Sequence, residues 1–186
     1  MKVVGIDPGT QRVGFAVLEV GLKEKPRILD LGVWDLIRAL KKSSDRPAMA
    51  ERLELLYENS AALFEKWNPT IIGLEKAVVF KNPASSLALS EARGVIRLAS
   101  QKVLAESHKR WIEMSPTQAK RMSSGFGQSK KLDLKRILGL RFQESVNEFF
   151  RDENILIDAF DAVAIAWTAW VLRKSPSARP LREVNI

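Results

Sequence analysis

Asp7, Glu75, Asp158 and Asp161 stand where the surrounding pattern asks for apolar side chains. Asp7 ends the run Val3-Val4-Gly5-Ile6, and Glu75 ends Ile71-Ile72-Gly73-Leu74. Asp158 and Asp161 open the almost wholly apolar segment 159–172. Carboxylates are rarely buried unless they are paired, hydrogen-bonded or bound to a metal. Four of them at the ends of core elements suggest one shared divalent-metal site. The chain has no cysteine and a single histidine, His108, so the ligands would be oxygens. That donor set favours Mg²⁺ or Mn²⁺ over Zn²⁺.

Each acid also has an ordinary reading. Asp7 lies in Gly5-Ile6-Asp7-Pro8-Gly9-Thr10, where a strand would deliver its carboxylate to the carboxyl end of a sheet. Asp-Pro and Pro-Gly are equally common turn chemistry, and actin-like phosphotransferases begin with a similar turn. Asp158 and Asp161 are three residues apart, so a helix puts both on one face. If that helix starts at Asp158, its positive end favours both charges, and a simple N-cap would also explain the pair. Glu75 alone could pair with Lys76 or Lys81. Two like charges above an apolar helix are costly without a cation, which favours the metal reading.

The elements that must position these acids follow from periodicity. Residues 2–6, 13–20 and about 27–34 read as strands separated by the turn signals Pro8-Gly9 and 21–26, an antiparallel meander. A helix is expected from about Asp45 as N-cap, with Pro47 in its first turn and a stripe of Met49, Leu53, Leu56, Leu63 and Trp67. Asn68-Pro69 should end it before a buried strand at 70–75. A helix over 85–106 follows, with Ala88, Ala92, Val95, Ala99 and Val103 on one face and Gly94 permitting close packing. Residues 111–114 read as a strand, and 116–131 as a short helix running into a Ser/Gly loop at 123–127. Helices at 133–150 and from about Asp158 complete the chain. The last of these presents Ala162, Ile165, Ala166, Ala169 and Leu172 inward, and Trp167 and Trp170 are most simply core. The order βββ, α, β, α, β, then helices predicts an α/β fold: a mixed five-stranded sheet with helices on both faces. Residues 1–173 are expected to form a single domain, with 174–186 a flexible tail.

The composition, 46% hydrophobic and 28% charged over 186 residues, is that of a soluble globular protein. No apolar run is long enough to cross a bilayer, and residues 1–20 do not read as a signal peptide. A cytoplasmic location is expected. The net charge is +8 and unevenly spread. Segment 109–141 holds 9 Lys/Arg against 2 Asp/Glu, whereas 1–108 holds 16 against 13 and 142–186 holds 5 against 7. A concentrated excess of this kind suits phosphate backbone, although a solvated face would carry it too.

The acids in the order D…E…D..D on a βββαβα frame resemble the RuvC-type Holliday junction resolvases of the ribonuclease H-like superfamily. Gly5-Ile6-Asp7-Pro8-Gly9 is similar to the family's first acidic motif, Gly73-Leu74-Glu75 to its second, and 158–166 (Asp-Ala-Phe-Asp-Ala-Val-Ala-Ile-Ala) to its third. Lys81-Asn82, 92–95 (Ala-Arg-Gly-Val) and Pro116-x-x-x-Lys120, followed by a Gly-x-Gly loop and Lys131, extend the match across 1–172.

The resemblance implies two Mg²⁺ ions held by Asp7, Glu75, Asp158 and Asp161, with Mn²⁺ a plausible substitute. It implies Lys120 beside the cut phosphate, with Lys131, or its neighbour Lys130, also near the DNA. Lys81 and Arg121 join them as candidate DNA contacts. Four-way junction DNA is the implied substrate. A homodimer paired through the 85–106 helix and a branch-migration helicase are the implied partners. Four carboxylates and no activated Ser, Cys or His suit two-metal phosphodiester hydrolysis, one metal activating water and the other stabilising the leaving 3′ oxygen. One departure stands out. The family's aromatic three residues after the catalytic Glu is Val78 here, so base stacking would have to pass to Phe80. Rival readings are another ribonuclease H-like nuclease, such as a YqgF-type RNA-processing enzyme, or a non-enzymatic nucleic-acid-binding protein.

Overall fold

Strand β1 (Lys2–Asp7) pairs antiparallel with β2 (Arg12–Glu19), which pairs antiparallel with β3 (Arg27–Asp35). The computed structural model describes residues 1–21, 25–40, 47–76, 82–104, 110–125, 127, 131–142 and 153–173, the side chains of 131, 132 and 153–158 excepted. The expected tail, 174–186, lies outside the described residues. After β3 come α1 (Leu36–Leu40), α2 (Met49–Trp67), β4 (Ile71–Glu75), α3 (Pro83–Val103) and β5 (Arg110–Met114). Helices α4 (Pro116–Ser124), α5 (Lys131–Arg141) and α6 (Glu153–Leu172) follow. The sheet order is β3-β2-β1-β4-β5, with β4 parallel to both β1 and β5. This is the mixed five-stranded sheet expected from the sequence, and its helices lie on both faces.

Alternation along the strands splits the core in two. Val4, Ile6, Val13, Val17, Ile72 and Leu74 meet α2 and α3 through Leu56, Phe64, Ala92, Ile96 and Ala99. The opposite face, with Val3, Ala16, Leu18, Ile71, Ile112 and Met114, meets α4, α5 and α6. Each fully buried large side chain, Phe64 and Phe160 among them, contributes about 1.5–3 kcal/mol by leaving water.

Local signals account for most element ends. Asn68 closes α2 in the left-handed conformation (φ 42°), its N–H donating to the Phe64 carbonyl at 2.8 Å. Thr70 then donates from its N–H (3.0 Å) and from Oγ1 (3.1 Å) to the Lys2 carbonyl, which seats β4 beside β1. Asn82 and Ser115 cap α3 and α4, each followed by a proline at the first helical position.

Several expectations need correction. Helix α2 starts at Met49 with Ala48 as N-cap, so Pro47 precedes the helix. Asp45 lies outside the described residues. The buried row of α2 is Arg52, Leu56, Ser60, Leu63 and Phe64, slightly rotated from the expected stripe. Ser123 and Ser124 belong to α4 and not to a loop. A Cβ on Gly94 would meet nothing within 4 Å among the described residues, so Gly94 is not a point of close packing there. Trp167 and Trp170 are partly buried, at the margin of the core. Helix α6 begins at Glu153, five residues before Asp158, so neither Asp158 nor Asp161 sits in its first turn. The helix dipole therefore does not favour either acid, because its effect fades within one turn.

Candidate active site

Residues i and i+2 of a strand face the same side of the sheet. Asp7 thus shares its face with Gly5, and Glu75 with Gly73. Ile6 and Leu74 are register partners on the parallel strands β1 and β4, so both acids leave the carboxyl edge side by side. Helix α6 lies directly against that face. A Cβ on Gly5 would stand 2.2 Å from the Ala162 carbonyl oxygen and 2.4 Å from the Ala166 nitrogen. A Cβ on Gly73 would meet Ala169 Cβ at 2.9 Å and Ile165 Cγ2 at 3.0 Å. The two glycines let the helix backbone touch the strands, which brings Asp161 up to Asp7 and Glu75.

Helix α4 supplies the basic group. It is tied to α6 by a buried hydroxyl network. Ser123 Oγ donates to the Ala119 carbonyl at 2.7 Å, and it lies 3.3 Å from the Ala164 carbonyl. Thr168 Oγ1 lies 3.3 Å from the Ala119 carbonyl and 3.5 Å from Ser123 Oγ. Buried hydroxyls without such partners would be costly, so the network fixes the docking of α4. A cleft of about 190 Å³ results, lined by Asp7, Glu75, Asp161 and Lys120 with Pro116, Ala119, Ala164 and Ile165.

Of the expected site residues, the structure brings Asp7, Glu75, Asp161 and Lys120 together. Asp158 lies in α6 one turn before Asp161, its side chain outside those described. Three acids line the cleft, yet among the described residues no three gather into a closed group able to hold an ion. Arg121 is exposed and does not line the cleft. Phe80, Lys81, Lys130 and Val78 lie outside the described residues, as does the side chain of Lys131, which opens α5. His108 lies outside them too. Arg93, in the 92–95 motif, joins Arg97 in pairing with Glu113 of β5 on the other side of the sheet. Beyond α4, Arg141 lies over the Trp167 ring at 4.6 Å, and burial lowers its pKa from the ordinary value.

The donor chemistry fits a hard divalent cation: carboxylate oxygens on rigid elements, with no sulfur or imidazole in the lining. Among the described residues, Lys120 is the one cation in that lining. Lys120→Gln is expected to slow phosphodiester cleavage by roughly 100-fold, the scale for removing one donor aimed at developing charge. Nucleic-acid affinity should change little. Single-turnover nicking beside a filter-binding titration checks both, and an unchanged nicking rate would remove Lys120 from the chemistry.

A mixed sheet of this order, with acids converging at the ends of its central parallel strands, defines a ribonuclease H-like nuclease. The comparisons agree. The family "Crossover junction endodeoxyribonuclease RuvC" matches residues 3–169. A relative of that name from Gloeobacter violaceus is 29% identical over 96% of this chain and 93% of its own length. One from Hydrogenovibrio crunogenus is 32% identical, covering 88% and 83%. In structure, Thermus thermophilus RuvC in complex with Holliday junction substrate superposes with a TM-score of 0.76 at 23% identity, over 97% of this chain and 99% of that one. The chain belongs to the RuvC family of crossover junction endodeoxyribonucleases. It is an endodeoxyribonuclease of crossover junctions, in a family of metal-dependent nucleases. No described helix is long and apolar enough to cross a membrane.

Proposed function

We propose that this chain resolves four-way DNA junctions by paired symmetric nicks, as a homodimer with one Mg²⁺-dependent site per subunit. Asp7, Glu75, Asp158 and Asp161 hold the ions in this reading, and Lys120 engages the phosphate being cut. The single observation that carries it is the cleft in which three of these acids and Lys120 converge on rigid elements. When bound, divalent ions supply Lewis acidity and activate water for in-line hydrolysis. The chain's own part is to fix the carboxylates from two strand ends and one helix. Lys120, held by α4, donates to a non-bridging phosphate oxygen. The basic excess of 109–141 attracts the backbone on either side, so affinity should fall steeply with salt.

The outer face of α3 supports the dimer. Leu87 (66% exposed), Gly94 and Leu98 (50% exposed) recur there at helical spacing, while Ala92 and Ala99 turn inward to the sheet. A branch-migration helicase would meet this protein on the same four-way substrate. A cytoplasmic setting follows from that role.

The test is purified protein with Mg²⁺ on an immobile four-way junction, a linear duplex and an RNA hairpin, with light scattering alongside. Symmetric nicks in two opposing arms and a mass near twice 20.9 kDa are expected. Equal cutting of linear duplex or of RNA would favour a general ribonuclease H-like nuclease. A monomer mass would remove the dimer.

A further inference from the structure

Arg52 is the described charged side chain that is buried, 8% exposed, and it occupies the first turn of α2. Both facts run against it. The positive end of a helix disfavours a cation, and a guanidinium taken out of water is costly unless its donors are met. It stands in the row of Leu56, Leu63 and Phe64, where an aliphatic side chain would pack without that cost. Its Nη1 donates to the Thr10 carbonyl at 2.6 Å, and its Nε reaches the Ala48 carbonyl at 3.4 Å. Thr10 belongs to the turn Pro8–Gln11, which directly follows Asp7. That turn is tight, since a Cβ on Gly9 would lie 2.2 Å from the Arg12 carbonyl oxygen. It is held from a second side by the Leu36 N–H, which donates to the Gln11 carbonyl at 2.8 Å.

We infer that Arg52 is a positioning residue: by gripping the Thr10 carbonyl it fixes the turn after Asp7 and so holds the Asp7 carboxylate on the cleft. Arg52 is not among the residues that line the cleft. Its effect passes through the backbone of three residues. The inference rests on the reading of Asp7 as a metal-holding carboxylate. A guanidinium suits the task because its rigid fork can satisfy more than one carbonyl while keeping its direction. The consequence is specific. Loosening the turn spreads the directions of the Asp7 carboxylate, which weakens ion binding before it weakens DNA binding or folding.

The experiment compares the full-length wild type with Arg52→Met, Arg52→Lys and Asp7→Asn. Four quantities are read: melting temperature, junction affinity in chelator, the Mg²⁺ concentration for half-maximal nicking, and Mn²⁺ affinity by electron paramagnetic resonance. Arg52→Met should bind junction as the wild type does, while its half-saturating Mg²⁺ rises and its Mn²⁺ affinity falls by about tenfold, the scale for losing a group that orients a metal ligand. Saturating Mg²⁺ should restore most of the rate. Arg52→Lys, which keeps a donor without the fork, should fall between the two, and it carries the test if Arg52→Met does not fold. Unchanged Mg²⁺ and Mn²⁺ dependence in the folded variants, with Asp7→Asn inactive and weakened for Mn²⁺, would overturn the positioning role and leave the site reading intact. Native Mn²⁺ affinity and cutting in Asp7→Asn would instead overturn the site reading, and the positioning role with it.

Discussion

Asp7→Asn is expected to reduce junction cleavage by more than about 100-fold, beyond what losing a merely supporting partner of a metal ligand costs. The two side chains have nearly the same shape, so the β1 terminus and the packing of α6 should be undisturbed. What changes is one negative charge among the acids that line the cleft. Junction affinity measured in chelator should therefore stay within about twofold of the wild type, because affinity comes mainly from lysines and arginines meeting phosphate. A third readout separates a metal ligand from a general electrostatic role. Ions that bind only the folded protein raise its melting temperature by mass action. The wild type should show such a Mg²⁺-dependent rise, and Asp7→Asn should lose it. Without Mg²⁺ the variant should melt no lower than the wild type, since removing one of several clustered like charges relieves repulsion. Nicking gels, chelator titrations and melting curves with and without Mg²⁺ check the three parts. Cleavage within tenfold of the wild type would sink Asp7 as a ligand.

The strand-borne half of the site was legible in the sequence because a carboxylate breaking an apolar strand is locally anomalous. Asp7 and Glu75 each end such a strand, and register places them together. The start of α6 was not legible. Asp158 resembles a helix cap, so the pattern places the start there, although the helix begins at Glu153. Aspartate inside a helix is locally unfavourable. Asp161 nevertheless lines the cleft from inside α6. Helix α1 is too short to show a periodic stripe, and its one local signal is the cap at Asp35. Asp35 Oδ1 accepts from the Arg38 N–H at 2.9 Å, as a capping residue would. Ser123 misled for a different reason. A Ser/Gly cluster resembles a loop, but here the hydroxyl bonds back to the carbonyl four residues earlier and crosses to α6. Arg52 was invisible to periodicity, which assigns every charge to the outer face of a helix.

Gly5→Ala is expected to damage both stability and catalysis, and the size of the first effect follows from what the methyl group would strike. At 2.2 Å from the Ala162 carbonyl oxygen and 2.4 Å from the Ala166 nitrogen, it overlaps the backbone of α6. No rotamer change can clear a backbone atom, so the helix itself must move. Overpacking costs typically 1–3 kcal/mol, and here about 3 kcal/mol or more is expected. For a chain of this length that lowers the melting temperature by roughly 6–12 °C. Gly73→Ala is the internal comparison. Its methyl would meet Ala169 Cβ at 2.9 Å, Ile165 Cγ2 at 3.0 Å and the Ile165 carbonyl oxygen at 3.0 Å, so α6 must give there too, but by less than at Gly5. A loss of about 1 kcal/mol is expected there. The catalytic effect should differ as well. A shift of α6 away from β1 carries Asp161 away from Asp7, and a misplacement of about 1 Å can cost 100-fold in rate. Gly5→Ala should then cut about 100-fold more slowly even at temperatures where it is fully folded, and Gly73→Ala only a few-fold. Equal melting temperatures for the two variants, or full activity in folded Gly5→Ala, would show that α6 is not held to the sheet at Gly5. The close approach of helix and strand would then not be what assembles the acids.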